Sequence, residues 1–214
     1  MANNDKKKNT LVHDTIAIFL ITLVAGVLLG GVYQITKDII AQREEDATNE
    51  AYAAVYDGAS FSEDADVTKK MDEFNEQLSD GKIESAASYD LSDVVISNVR
   101  VADKGGYVLT TAGKGYGGAV KVALGIDGDG KITGIQITDC TNETPGLGQN
   151  STKEDWNKQY LEASSTKEAI VDKDKESAKG EVAEISAISG ATITSRAITR
   201  AVDGAMLFIA SLSE

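Results

Sequence analysis

The sequence has little of what proteins use for catalysis by their own side chains. Its 214 residues include one cysteine, Cys140, and one histidine, His13. A single cysteine excludes an internal disulfide and any zinc or iron–sulfur site built from several thiolates. His13 lies beside a long apolar segment, so Ser-His and Cys-His catalytic pairs are excluded from the rest of the chain. We therefore expect no catalytic side chain and no metal site.

Basic residues are scarce as well. Lys and Arg together number 21 against 34 Asp and Glu, and the formal net charge is −13. Nucleic acids require a basic face, so this balance argues against a nucleic-acid partner. The acidity identifies no other partner, because net charge mainly reports on solubility and repulsion.

The longest uncharged stretch predicts a membrane anchor. Residues 15–35 carry no charge, and a helix of that length, at about 1.5 Å per residue, spans the ~30 Å hydrocarbon core of a bilayer. Lys6, Lys7 and Lys8 precede it, which predicts a cytoplasmic N-terminus and an extracytoplasmic remainder. A cleaved signal peptide is the alternative, but the run is long for one and no clear A-x-A site follows. A buried core helix is disfavoured at this length.

The remainder is predicted to be helical first and rich in strands later. Residues 36–57 and 67–78 show helical apolar spacing, with a polar loop at 58–66 between them. Runs rich in β-formers follow at 94–102, 106–111, 118–126 and 132–138. The turn sequences between them, Asp-Lys-Gly-Gly and Asp-Gly-Asp-Gly, predict an antiparallel meander.

The last third completes a predicted α+β fold. We expect a helix at 156–161, a charged surface excursion at 167–179 and a short strand at 185–188. Apolar residues three and four apart then predict a helix at 195–212 that packs on one face of the sheet. The predicted segments are a cytoplasmic N-terminus, a transmembrane helix, a helical stalk with its connection and a globular domain, at 1–14, 15–35, 36–93 and 94–214.

Glycine-containing motifs mark two turns of this domain. Gly-Lys-Gly-Tyr-Gly-Gly at 113–118 lacks the Gly-Lys-Ser/Thr ending of a nucleotide-binding P-loop. Glu-Thr-Pro-Gly-Leu-Gly at 143–148 holds the single proline of the chain, and a Pro-Gly turn fixes the backbone tightly. Each motif by itself is compatible with an ordinary turn.

A further motif, Ser-Gly-Ala-Thr-Ile-Thr at 189–194, lies where an apolar run meets the last predicted helix. Small residues before a hydroxyl let the backbone approach a bulky group closely. The amides that open a helix favour an anion such as a phosphate. Thr192 is therefore a candidate for holding a phosphate; the alternative is that Thr192, Thr194 or Ser195 only caps the helix.

In this order, the motifs resemble those of a known family. The chain is similar to the covalent-FMN domain shared by the G subunit of Rnf-type ion-translocating oxidoreductase complexes and the C subunit of sodium-translocating NADH:quinone oxidoreductase. The resemblance to the Rnf G subunit is the closer of the two, and it covers the anchor and all three motifs. The order and spacing of ETPGLG and SGATIT are specific, whereas a lone SGAT is not.

The resemblance implies a cofactor and the residues that hold it. In the family, FMN is joined by a phosphoester bond to the last residue of the S/T-G-A-T motif, which here is Thr192. Ser189, Gly190, Ala191 and Thr194 would surround the bond. The family's ETPGLG turn lies against the flavin, which implicates Glu143, Thr144, Gly146, Leu147 and Gly148. A separate flavin transferase makes the attachment, so Thr192 needs no neighbouring base.

The resemblance also implies a role. The chain would be a single-pass cell-membrane subunit whose extracytoplasmic FMN carries electrons, without catalysing a reaction alone. Its partners would be the other membrane subunits of a complex that couples reduced ferredoxin and NAD to movement of Na⁺ or H⁺. The sequence departs from the family at Thr141 and Asn142, where His is frequent, and at Ser186, where Asp is frequent. These replacements put the flavin environment and recognition by the transferase in question.

Two alternatives remain open at the level of sequence. Similar FMN domains serve reductases of small organic acids, but this chain shows no second domain and no G-x-G-x-x-G fingerprint. The other alternative is an anchored, non-redox surface module whose glycines are only turns. Cys140 is expected to be a small buried residue at a strand end. Tyr116 and Trp156 are expected to pack in the core or at its rim.

Overall fold

The computed structural model describes residues 2–163 and 167–212. The chain divides between Thr48 and Asn49 into two compact units. The first helix, α1 (Ala2–Val55), supplies the first unit and ends within the second. Residues 1, 164–166 and 213–214, which belong to the predicted cytoplasmic segment and domain, lie outside the described residues.

The apolar run lies within α1, as predicted. From Val12 onward this helix is long and apolar enough to cross a membrane. Its large apolar side chains, including Phe19, Leu29 and Ile35, are exposed. A helix that is apolar all round suits a lipid environment. The prediction of an apolar N-terminal helix ahead of a folded domain is therefore confirmed.

The second unit is built on an antiparallel sheet with the strand order β1-β2-β3-β4-β5. Its strands are β1 (Phe61–Ser62), β2 (Val95–Ala102), β3 (Tyr107–Lys114), β4 (Ala119–Ile126) and β5 (Ile132–Asp139). At the turn after β4, the Asp127 carboxylate accepts the backbone N–H groups of Asp129 and Lys131, each at 2.9 Å. These hydrogen bonds form an Asx turn, which helps to reverse the chain between β4 and β5. The predicted meander and its hairpin turns are confirmed.

Helices cover one face of this sheet. The helices after α1 are α2 (Ala65–Ser79), α3 (Glu154–Asn157), α4 (Gln159–Ala163) and α5 (Thr192–Leu212). The rings of Phe74 in α2 and Phe208 in α5 lie 5.5 Å apart, and both belong to the core cluster that includes Leu124 of β4. Burial of each such side chain contributes about 1.5–3 kcal/mol. The predicted packing of the last helix on the sheet is confirmed.

The last turns of α1 contribute to a separate, smaller cluster. Tyr52 and Val55 are buried with Val108 and Ala123 of the sheet. The Tyr52 hydroxyl donates to the backbone carbonyl of Asn98. The helical prediction for residues 36–57 is thus confirmed up to Val55, and the aromatic Tyr52 anchors that end of the helix in the second unit.

Two stretches before residue 167 differ from the prediction. The predicted loop at 58–66 contains β1, where Phe61 pairs with Ala102 and packs edge-on against Tyr52 at 6.1 Å. A strand of two residues is too short to display an alternating pattern. The helix predicted at 156–161 is broken at Lys158, which separates α3 from α4.

The predicted surface excursion at 167–179 was wrong in its first part. It contains β6 (Ala169–Val171), whose side chains are fully buried, and β6 pairs in parallel with β7 (Ala183–Ile185). The strand predicted at 185–188 is found slightly earlier in the chain, as β7, and ends at Ile185. Charged residues surround β6 in the sequence, and its partner is distant along the chain, so local patterns gave no sign of the pairing.

Asp203 of α5 holds the start of β6. Its Oδ1 accepts the backbone N–H of Ala169 at 2.7 Å. The side chain is fully buried, and its Oδ2 has no hydrogen-bond partner among the described residues. Burial raises the pKa of Asp203 well above its usual range. A neutral carboxyl group is therefore favoured at this position.

We predict that Asp203 makes the folded state less stable as pH rises. Its pKa is raised on folding, so the folded chain keeps a proton that the unfolded chain releases above pH ~4. The free energy of unfolding then falls by at most about 1.4 kcal/mol per pH unit up to the folded-state pKa. Asp203→Asn does not titrate, so its stability should depend less on pH. Thermal unfolding of both detergent-solubilised chains between pH 5 and 8 measures this; parallel curves would contradict it.

Candidate functional site

The Ser-Gly-Ala-Thr-Ile-Thr motif forms a tight turn into α5. Gly190 has a φ of 76°, a left-handed conformation that favours glycine. The first helical hydrogen bond runs from the N–H of Ser195 to the carbonyl of Ala191 at 3.0 Å. The amides of residues 192–194 therefore precede the helical ladder and open the helix. Thr192 is the first residue of α5.

The hydroxyls near this helix start have different partners. Ser195 is buried; its Oγ accepts the N–H of Ile188 at 2.9 Å and donates to the carbonyl of Ala191 at 3.0 Å. Thr194 is also buried, and its hydroxyl donates to Glu143. Thr192 is half-buried, and its Oγ1 accepts a hydrogen bond from Lys173 Nζ at 3.3 Å. Of the three residues, Thr192 is therefore the most accessible.

A cavity of about 500 Å³ opens beside Thr192. Its volume falls within the ~300–1,000 Å³ typical of small-molecule sites. Its lining combines residues from the glycine turn, the Pro-Gly turn, the segment after β6 and the start of α5: Tyr116, Thr144, Leu147, Gly148, Lys173, Gly190, Ala191, Thr192, Ile193 and Thr194. The fold thus brings most of the residues predicted from the ETPGLG and SGATIT motifs to one place.

Glu143 lies behind this cavity and connects the motifs to one another. Only 2% of the residue is exposed. Its Oε1 accepts the backbone N–H of Gly117 at 2.8 Å, and its Oε2 accepts the hydroxyl of Thr194. A Cβ on Gly148 would lie 2.8 Å from that same Oε2. The carboxylate is therefore directed at protein donors, and Gly148 is required for the close approach.

Some of the predicted residues lie outside the lining. Gly146 and Ser189 are exposed but do not line the cavity. Thr141, where the resemblance leads one to expect histidine, donates its hydroxyl to Asp139 at 2.9 Å. Ser186 is exposed, and its carbonyl accepts the indole N–H of Trp156 at 2.8 Å.

The cavity also contains residues that sequence reasoning did not assign to it. Tyr116 is 72% exposed, so its predicted packing in the core or at its rim was wrong. Ile193 and Lys173 were not predicted either. Lys173 comes from a charged stretch that carries no local sign of the site, since only the tertiary fold brings it to α5. By contrast, the packing role of Trp156 and the burial of Cys140 are confirmed.

Comparison with known proteins identifies the family. The family model described as "FMN-binding domain" matches residues 115–206, which include the cavity. The chain is 30% identical over 202 residues to the G subunit of the proton-translocating ferredoxin:NAD(+) oxidoreductase complex of Clostridium ljungdahlii, covering 94% of this chain and 93% of that one. It is 42% identical over 110 residues to the Na(+)-translocating counterpart of Acetobacterium woodii, covering 51% of each. The chain belongs to the G-subunit family of ion-translocating oxidoreductase complexes.

A solved structure is also similar. The C subunit of the Na(+)-translocating NADH-quinone reductase of Parabacteroides distasonis matches with a TM-score of 0.42 and 18% identity, covering 69% of this chain and 98% of that one. A TM-score at this level decides nothing about this member of the G-subunit family. The sequence relatives and the FMN-binding domain carry the family assignment, and a helix able to cross a membrane agrees with a membrane protein.

The residues around the cavity of this G-subunit family member fit FMN. The amides that open α5 and the ammonium group of Lys173 offer donors to a phosphate. Tyr116, Leu147 and Ile193 are exposed by 72%, 40% and 47% and offer apolar area to a flat ring system. The donor set and the apolar rim therefore match a ligand with an anionic end and an aromatic body.

We predict that Thr194→Val destabilises the site. Valine has nearly the same shape but removes the donor to the buried Oε2 of Glu143. An unsatisfied buried acceptor costs about 1–3 kcal/mol. The control is Thr138→Val on the exposed side of β5, expected to change stability by less than about 0.5 kcal/mol. Thermal unfolding of the detergent-solubilised chains measures both variants. Equal unfolding temperatures would show that the contact does not matter.

Proposed function

We propose that this chain is the electron-carrying flavoprotein subunit of a membrane-bound ferredoxin:NAD oxidoreductase that moves Na⁺ or H⁺, and that its FMN is esterified to Thr192. Membership in the G-subunit family supports the complex, and the FMN-binding domain supports the cofactor. One observation supports the attachment residue. Thr192 presents an accessible hydroxyl at the cavity, whereas the hydroxyls of Thr194 and Ser195 are buried and engaged.

The chain contributes positions and charges at this site. When bound, FMN supplies the redox chemistry, because the described side chains around the cavity include no redox-active group. The amides in the opening turn of α5 would hold the phosphate, and Gly190 lets the backbone turn there. Glu143 holds the Pro-Gly turn and α5 in one arrangement, which keeps the cavity open beside Thr192.

The proposal includes two kinds of partner. The other membrane subunits of the complex would exchange electrons with the flavin, and a flavin transferase would attach it. The transferase is needed because Thr192 has Lys173 as its side-chain partner, and a lysine ammonium has no lone pair with which to take a proton.

We predict that Thr192→Val abolishes covalent FMN. The wild-type chain, produced with a flavin transferase, should gain the mass of one FMN less one water on the Thr192 peptide. It should also fluoresce on a denaturing gel. Valine has no hydroxyl to form the ester, so the variant should show neither signal. Thr138→Val, on the exposed side of β5 and outside the motifs, is the matched control; it leaves the attachment residue intact and should still be labelled.

Two results would contradict this assignment. Flavin that survives denaturation in the Thr192→Val chain would place the bond on another residue. An unmodified wild-type chain isolated from its native membrane would instead favour the non-redox surface module. The first failure is read in the Thr192→Val chain and the second in the wild-type chain, so the two failures are distinguishable.

We also propose that the domain lies on the extracytoplasmic side, with the N-terminus in the cytoplasm. The lysines that precede the apolar run support this orientation. Asp129→Cys, in the exposed turn after β4, should react with a membrane-impermeant maleimide in intact protoplasts. Asn4→Cys should react only after permeabilisation. Cys140 is 7% exposed and should give little background. The opposite labelling pattern would invert the proposed topology.

A further inference from the structure

Lys173 stands out from the neighbouring lysines by its partner. It lies in a 3₁₀ turn (Asp172–Ser177) that follows β6. Lys175 of the same turn pairs with Glu184, and Lys167 pairs with Glu181. Among the described residues, no carboxylate lies within ion-pair distance of Lys173. Its ammonium group instead donates to the neutral hydroxyl of Thr192 at 3.3 Å, which leaves its positive charge without a counter-charge at that point.

The ion pair between Asp174 and Arg196 determines where Lys173 lies. Asp174 accepts two hydrogen bonds from Arg196, one from Nε and one from Nη2, each at 2.6 Å. The Tyr89 hydroxyl donates to the same carboxylate at 3.0 Å. The hydrogen bonds from Arg196 lower the pKa of Asp174, so the pair stays charged at neutral pH.

This ion pair places Lys173 opposite Thr192 for a geometric reason. Lys173 and Asp174 are adjacent in the 3₁₀ turn, while Thr192 and Arg196 are one helical turn apart on α5. The bidentate contact between Asp174 and Arg196 therefore brings Lys173 to the start of the helix. A lysine without a neighbouring ion pair of this kind has no such constraint.

We propose that Lys173 supplies the counter-charge for the flavin phosphate at Thr192 and thereby promotes its attachment. This inference rests on the proposed function. In the attachment step, a bond forms between Thr192 Oγ1 and the phosphorus of the flavin phosphate. The bond from that phosphorus to the nucleotide half of a flavin dinucleotide donor breaks, and the hydroxyl proton is released to solvent. Lys173 binds the phosphate oxygens during this transfer and takes no proton.

The charge of the whole chain favours such a counter-charge. Its formal net charge is −13, so an anion approaching the domain meets overall repulsion. The phosphate in the ester retains a negative charge after attachment, and a charge-assisted hydrogen bond is about twice as strong as a neutral one. Lys173 is the lysine that lines the cavity, so its ammonium group provides this contact.

The test compares attachment rates in full-length, detergent-solubilised chains. Flavin-free chain is mixed with purified flavin transferase and FAD, and in-gel fluorescence gives the initial rate. Lys173→Met should react about five- to tenfold more slowly, because it loses a hydrogen bond from a charged donor. Lys173→Arg keeps the charge and should stay within about twofold of wild type. Lys175→Met is the matched control from the same turn, and loss of its exposed ion pair should also change the rate by less than about twofold.

Salt provides a readout that a purely structural role would not change. Exposed charges are screened over about 8 Å at physiological ionic strength. Added NaCl should therefore slow attachment in the wild-type and Lys175→Met chains, and slow it less in Lys173→Met. Equal unfolding temperatures in all variants would show that the rates reflect the site.

The possible failures are distinguishable. If Lys173→Met matches Lys175→Met in rate and in salt dependence, Lys173 does not supply the counter-charge. If Lys173→Arg is as slow as Lys173→Met, the positive charge is not what matters, and the inference is also overturned. In both cases the flavin would still be found on Thr192, and the proposed function would stand. A wild-type chain that never takes up flavin would overturn the proposed function and this inference together.

Discussion

The buried carboxylate of Glu143 is the contact on which the site depends. It joins the glycine turn through Gly117 and the start of α5 through Thr194, while belonging itself to the Pro-Gly turn. Three segments that are distant in the sequence are thereby held together by one side chain. Since the oxygens of a buried carboxylate must each accept a hydrogen bond, none of these segments can move without leaving a polar group unpaired. This requirement therefore helps to determine the shape of the cavity beside Thr192.

The last helix connects the site to the core. Its first turn presents Thr192 to the cavity, its second turn carries Arg196, and its later turns bury apolar side chains such as Phe208 against the sheet. Packing of those later turns determines the position of the first turn, because a helix transmits its orientation along its axis. Asp203 adds a polar anchor for β6 on the same helix. The segment that carries Lys173 is thus attached to α5 at three residues, Ala169, Lys173 and Asp174.

Much of this organisation follows from local sequence. The apolar run, the hairpin turns and the spacing of apolar residues in α5 each express a rule that acts over a few residues, and the structure agrees with them. Glycine is also needed at two motif positions, because a Cβ on Gly148 would lie 2.8 Å from Glu143 Oε2 and because Gly190 has a φ of 76°. The errors lie where structure depends on distant partners. β6 has three residues among charges, and nothing near it in the sequence indicates β7.

The features of the candidate site also fall into two groups, those that local sequence predicts and those that depend on distant partners. The sequence alone determined that Thr192 follows small residues at a helix start and that the one histidine of the chain, His13, belongs to the N-terminal segment, since both are properties of neighbouring residues and of composition. Only the tertiary structure decided that Glu143 faces protein donors, that Tyr116 is exposed at the cavity and that Lys173 reaches Thr192. Each of these depends on which side chains from separate segments meet. Hydrogen bonds and ion pairs act over a few ångströms, and sequence separation does not reveal such distances.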